Sequence, residues 1–367
     1  MRDQRAQALA RVLVQYSSAV KAGDVCLIEG ESAGEPLLLA VYEEVLRAGA
    51  RPIVNMIMEG QTHAFLNLAS DEQLEWIAPP ARWAANEADV RFRILADTNT
   101  RELSGIDPGR QTKRQRATKE LMEKMMERSA AGDFRWSLTL FPTQAYAAEA
   151  EMSLGEYEDF YYRACFCDRD DPVAAWRSQA DQIRRLADWM EGKEEIHIEG
   201  PDTDLSLNVS GRTFIAAEGK HNMPDGEFFT GPIEDSANGE VSFSYPAVYG
   251  GREVAGVKLR FEDGKIVDAS AERNEQFLIE TLETDEGARR LGELGIGANY
   301  GIDRFTKEIL LDEKIGGTIH LAVGMSYPET GGRNDSAVHW DMVCDLRSGG
   351  RITVDGEQFQ ADGRFVV

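Results

Sequence analysis

Apolar residues recur at helical spacing in RAQALARVLVQYSSAV, residues 5–20, which predicts an opening helix. The run Val25-Cys26-Leu27-Ile28 then reads as a short strand closed by Gly30, and Pro36 opens a helix that stops at Gly49. Pro52 to Ile57 is a second strand candidate, and VRFRIL (90–95) a third. A helix over 110–132 ends at Gly132, and WSLTLFP (136–142) returns to strand. Helices alternating with strands in this way predict a parallel sheet covered by helices.

Residues 153–192 keep helical periodicity. From Glu195 onward the pattern becomes short alternating runs such as IHIEG, LSLNVSGR, VKLRFEDGKIV, TIHLAVG and VHWDMVCDL. EDGK and VDGE between them have the composition of hairpin turns. One longer helix is expected over 274–294. The fold class expected is therefore α/β: an N-terminal α/β domain with a mainly parallel sheet (1–190), followed by a strand-rich α+β C-terminal domain (191–367). A chain of 367 residues fits two domains better than one core.

Composition narrows the chemistry. The formal net charge is −24, from 64 acids and 40 bases, so phosphate backbones and anionic lipid would be repelled. Nucleic acid and membrane are thus not the expected partners, and the basic run Arg110–Lys119 is read as a solvated helix face. The first residues lack the apolar core of a secretory signal, and no stretch approaches the roughly 18 apolar residues of a membrane span. Cys165 and Cys167 form CxC with no matching pair elsewhere, so reduced cytoplasmic thiols are expected rather than a zinc knuckle or a disulfide scaffold. Gly30-Glu-Ser-Ala-Gly34 and Gly295-Ile-Gly297-Ala-Asn-Tyr-Gly301 both miss the dinucleotide fingerprint, the second because a helix is expected before it. No nucleophile elbow is present.

The strand VHWDMVCD raises the sharpest question. Alternation puts His339, Asp341, Val343 and Asp345 on one face, with Trp340, Met342 and Cys344 on the other as core. A carboxylate in a packed strand costs several kcal/mol unless paired. A bound cation removes that cost; so would a salt bridge or a solvent-facing edge. Three other acids or histidines stand in equally apolar company: His320 in GTIHLAVG, Glu293 between glycines where the expected helix stops, and Glu227 after the turn NMPDG. Glu227, Glu293, His320, His339 and Asp341 together suffice for two divalent ions with one bridging carboxylate. Such nitrogen and oxygen donors without thiolate suit zinc, cobalt or manganese. His63, His197 and His221 are read as structural or peripheral.

HNMPDGEFFTGPIEDSANG, LGELGIGANYGID, GTIHLAVGMSYPETGG and NDSAVHWDMVCDL, in this order, resemble the M29 metallo-aminopeptidases, the thermophilic or aminopeptidase T/S-like family. The resemblance implies a two-domain α/β protein with two metal ions in the C-terminal domain, assembled as a homodimer. It implies Glu227, Glu293, His320, His339 and Asp341 as ligands, Glu293 as the bridge, and Tyr327 of MSYP as a hydrogen-bond donor to a developing oxyanion. Gly226 departs from a glutamate found in several members. The activity implied is release of the N-terminal residue from unblocked peptides. Two ions about 3.5–4 Å apart would share and acidify a water and polarise the scissile carbonyl. The base is left open between an unassigned carboxylate, Asp225 included, and the bridging hydroxide. The alternative is a mononuclear iron(II) ring-cleaving dioxygenase of the dihydroxypyridine type, using only His320, His339 and Asp341.

Overall fold

In a computed structural model, which describes residues 3–367, the chain divides into two compact units. The first comprises Met1–Arg177 and Gly219–Pro224; the second comprises Ser178–Glu218 and Asp225–Val367.

The first unit holds a five-stranded, all-parallel sheet in the order Arg51–Ile57, Val25–Glu31, Val90–Leu95, Arg135–Leu140, Asn222–Met223. Cys26, Ile28, Val90, Phe92 and Ile94 line a buried face. The other face of the two central strands carries diagonal ion pairs, Arg91–Glu29 at 2.9 Å and Arg93–Glu31. That is why VRFRIL alternates arginine with apolar residues. Helices Glu35–Arg47, Pro108–Ala130 and Leu154–Ala164 lie at the expected places in this unit, Pro172–Met190 belongs mostly to the second, and no helix among the described residues is long and apolar enough to cross a membrane.

The second unit is built on antiparallel sheets. One has eight strands; a five-stranded one has the order His339–Asp345, Thr318–Gly324, Leu291–Gly297, Glu227–Thr230, Ile215–Ala217. One face of the smaller sheet, with Trp340, Met342, Cys344, Leu321, Leu294 and Phe228, is part of the unit's hydrophobic core.

The helix expected over 274–294 ends at Leu282, and Leu291–Gly297 is a strand. Glu293 therefore stands in the middle of a sheet rather than at a helix end. The glycines decide this. A Cβ at Gly292 would lie 2.2 Å from the Met325 carbonyl oxygen, and one at Gly297 2.1 Å from that of Ile315. Only side-chain-free positions admit such close backbone neighbours, and in a helix each glycine would cost about 1 kcal/mol against alanine. Gly295-Ile-Gly297 is thus preceded by strand, yet no helix begins before Ile309, so the dinucleotide reading still fails.

Register explains the other small residues. Glu293 pairs with Ala322, which pairs with Asp341; Gly295 lies beside His320, Gly324 beside His339, and Gly297 beside Glu227. Each candidate ligand thus has a glycine or alanine as a lateral neighbour on its own face of the sheet. The tightest case is Gly295, where an added Cβ would fall 1.9 Å from His320 Cε1. Gly295→Ala is expected to destabilise the protein by about 1–3 kcal/mol and to turn the imidazole away. Urea denaturation and the His320 imidazole NMR signals check both; an unchanged midpoint and unchanged signals would contradict this packing account.

Candidate metal centre

Beside these small residues the candidate side chains project from one face of the sheet. His320, Glu227 and Glu293 are buried, at 1%, 5% and 5% exposure, while His339 and Asp341 are half-buried on the edge strand. Glu293 reaches both imidazoles: its Oε1 is 3.2 Å from His320 Nε2 and its Oε2 is 3.6 Å from His339 Nε2. His339 Nε2 also lies 3.6 Å from Asp341 Oδ2. Two groups of donors converge within 4.8 Å, Glu293 with His339 and Asp341, and Glu313 with His320 and Asp341. Asp341 belongs to both.

Glu227 falls outside these groups. Its Oε1 is 3.4 Å from Lys314 Nζ and its Oε2 3.5 Å from His320 Nδ1. The His320 Nδ1–H donates to the Glu313 carbonyl at 3.2 Å, and Glu227 Oε2 is left buried without a hydrogen bond. Asp345, on the His339 face, is held by Tyr245 Oη at 2.8 Å and Arg347 Nη2 at 2.7 Å and takes no part. Asp225 is buried, its Oδ1 accepts the Gly226 N–H at 3.1 Å, and it too lies outside both groups. His63 sits in the helix Gln61–Leu68, His197 bonds Asp204, and His221 stacks on Trp136. The Tyr327 ring meets His339 edge-on at 5.1 Å.

Glu313 and Lys314 escape a reading of the sequence. Asp312-Glu313-Lys314 looks like a solvated charge run and not like an isolated acid among apolar residues. The only sign was its flanks, Leu310-Leu311 and Ile315-Gly316-Gly317. In the fold, Asp312 is buried and accepts from the Thr306 N–H (2.7 Å) and hydroxyl (2.8 Å). Asn299 N–H donates to the Lys314 carbonyl at 3.1 Å. These bonds fix the turn that delivers Glu313 and Lys314.

The donor chemistry fits divalent cations. A backbone carbonyl only accepts, so Nδ1 carries the proton on both histidines: His320 toward Glu313, His339 toward the Met325 carbonyl at 2.9 Å. That leaves both Nε2 atoms facing the carboxylates, the outer-shell arrangement typical of metal-bound imidazole. The crowding also perturbs the protons. Burial opposes a charged His320, but Glu227 and Glu293 overrule it and raise its pKa to about 10. Burial pushes Glu227 up to about 8 against the pull of Lys314, and Asp341 up to about 6 against that of His320.

A profile of the family described as "Thermophilic metalloprotease (M29)" matches residues 2–365. Aminopeptidase 2 of Geobacillus stearothermophilus is 27% identical over 95% of this chain and 94% of its own length. The structure of wild-type AmpT from Thermus thermophilus superposes with a TM-score of 0.86 at 24% identity, covering 99% of each chain. A 2,5-dihydroxypyridine dioxygenase from Pseudomonas putida shares the fold at TM-score 0.58 and 15% identity, over 100% of this chain and 98% of that one.

The raised pKa values tie stability to pH in the metal-free protein. Folded His320 retains its proton up to about 10 against an ordinary 6.5, so the stability it contributes is complete below 6.5 and is lost as pH rises toward 10. Glu227 acts in the same direction between its ordinary 4.5 and about 8, because its folded state is penalised once it ionises. Chelator-treated protein is therefore expected to melt at progressively lower temperature from pH 6 to pH 10. Metal-saturated protein should show a much shallower fall, since cations replace the protons. Parallel slopes in differential scanning calorimetry would contradict the linkage.

Proposed function

The chain belongs to the thermophilic metalloprotease (M29) family and is a metallo-aminopeptidase acting on peptides; from that premise we propose that it removes the N-terminal residue of unblocked peptides with a pair of divalent cations, zinc, cobalt or manganese. Glu227, Glu293, His320, His339 and Asp341 would hold them, with Glu293 as the bridge and Glu313 as a further donor. One observation carries this reading: Glu293 places one oxygen 3.2 Å from His320 Nε2 and the other 3.6 Å from His339 Nε2. A single carboxylate set between two imidazole nitrogens that both face it suits two ions rather than one.

Cations bound there supply Lewis acidity toward the scissile carbonyl, a more acidic water, and a seat for the substrate's free α-amine. The chain's own residues do the rest. His320 and His339 keep their Nδ1 protons on backbone carbonyls, so they orient and do not shuttle protons. Burial, with Glu293 and Asp341 close by, raises the pKa of Tyr327. Its phenol stays protonated and is suited to donate to a developing oxyanion. The ring-cleaving dioxygenase reading is not favoured: its site needs two histidines and one carboxylate, and Glu293 and Glu313 would be surplus. A reduced cytoplasmic setting and a homodimer complete the proposal. In support, all four cysteines are free and buried, and the edge strand Arg51–Ile57 exposes Ile53, Val54 and Met56.

Glu293→Gln is expected to lower hydrolysis of aminoacyl reporter substrates at least about 10³-fold and to reduce metal content by elemental analysis. Normal activity with normal metal would remove Glu293 from the site. Wild-type enzyme should cleave unblocked peptides and leave their N-acetylated forms intact; equal cleavage would refute the requirement for a free amine.

A further inference from the structure

Among the described residues, Lys314 is the one buried lysine, with a side chain at 0% exposure. Its ammonium is paired with the Glu313 carboxylate and lies 3.4 Å from Glu227 Oε1. Among the described residues no ion pair links it to Glu293, His339 or Asp341. The positive charge is thus concentrated at one end of the centre, beside the group of Glu313, His320 and Asp341.

Glu227, Glu293, Glu313 and Asp341 supply four negative charges, and two divalent cations would balance them. The buried Asp225 carboxylate also acts on Lys314 and offsets its charge overall, but the ammonium itself sits against Glu227 and Glu313, where burial leaves charges least screened. It also competes directly for two carboxylates on that side. The group of Glu293, His339 and Asp341 makes no such contact.

We propose that Lys314 is a built-in cation that weakens the ion position of Glu313, His320 and Asp341 relative to that of Glu293, His339 and Asp341, so that the two positions load in sequence. This rests on the two-ion reading above. It makes Lys314 a positioning residue and the His320 side the exchangeable one, the place where the supply of metal would control activity.

The test is a cobalt(II) titration of the metal-free enzyme under chelator competition, followed by d–d absorption and by elemental analysis of each species. Wild-type enzyme is expected to bind two ions with affinities at least about tenfold apart, equivalent to about 1.4 kcal/mol. His339→Ala should remove the tight step and His320→Ala the weak one. Lys314→Met, close in volume and uncharged, should tighten the weak step at least about tenfold and leave the tight one in place. A lysine that merely supported the fold would give the opposite result, with both steps weakened. Should Lys314→Met not fold, the wild-type gap and the two histidine variants still decide the order of loading. Two equal steps, a gap unaltered in Lys314→Met, or a tight step lost in His320→Ala would overturn the inference and leave the two-ion reading standing. One ion or none in the wild type would overturn both.

Discussion

The structure of the second unit turns on a repulsion. Glu227, Glu293, Glu313 and Asp341 are brought together on one side of a sheet, and three of the four donor strands have no solvent-exposed edge in that sheet. Carboxylates so close and so poorly hydrated cannot all be ionised without cations among them. In the metal-free chain the compensation comes from protons retained on His320, Glu227 and Asp341 and from the fixed ammonium of Lys314. Divalent ions held there would be the stronger form of the same compensation. Metal binding, protonation and stability are here one electrostatic problem.

The sheet is shaped to make that crowding possible. Packed β faces are normally filled by branched side chains, and this one is filled so on its reverse, by Trp340, Met342, Leu321 and Phe228. On the other face, Gly295, Gly297, Ala322 and Gly324 alternate laterally with the candidate ligands. Neighbouring backbone comes close to this face at Gly297 and Gly324. Carbonyls of that backbone then select the histidine tautomers, at Glu313 and at Met325, and aim both Nε2 atoms inward. Glycine therefore serves two purposes, close approach of neighbouring chain and room for imidazole.

The likeness to the dihydroxypyridine dioxygenase fold shows that this scaffold is not tied to one chemistry. In this chain His320, His339 and Asp341 are accompanied by further carboxylates. Glu293 comes from the middle strand of the five, and Glu313 from a turn pinned by Asp312 and Thr306.

The sequence by itself determined the alternation of helices and strands in the first half, the change to short strands after Glu195, and the two-faced character of His339–Asp345. These follow from periodicity, a local property in which each residue's side is decided by its neighbours in the chain. It also singled out the histidines and isolated acids, because a charge among apolar residues is anomalous wherever it folds. Three things were decided only in the tertiary structure. Leu291–Gly297 became a strand because neighbouring backbone presses on its glycines, a contact invisible to propensity. Glu313 and Lys314 joined the site because a buried Asp312 turns the chain inward, whereas their spacing resembles a solvated surface. Residues Gly219–Pro224 left the second unit to extend the parallel sheet of the first, since strand pairing depends on which edge is open in space and not on distance along the chain.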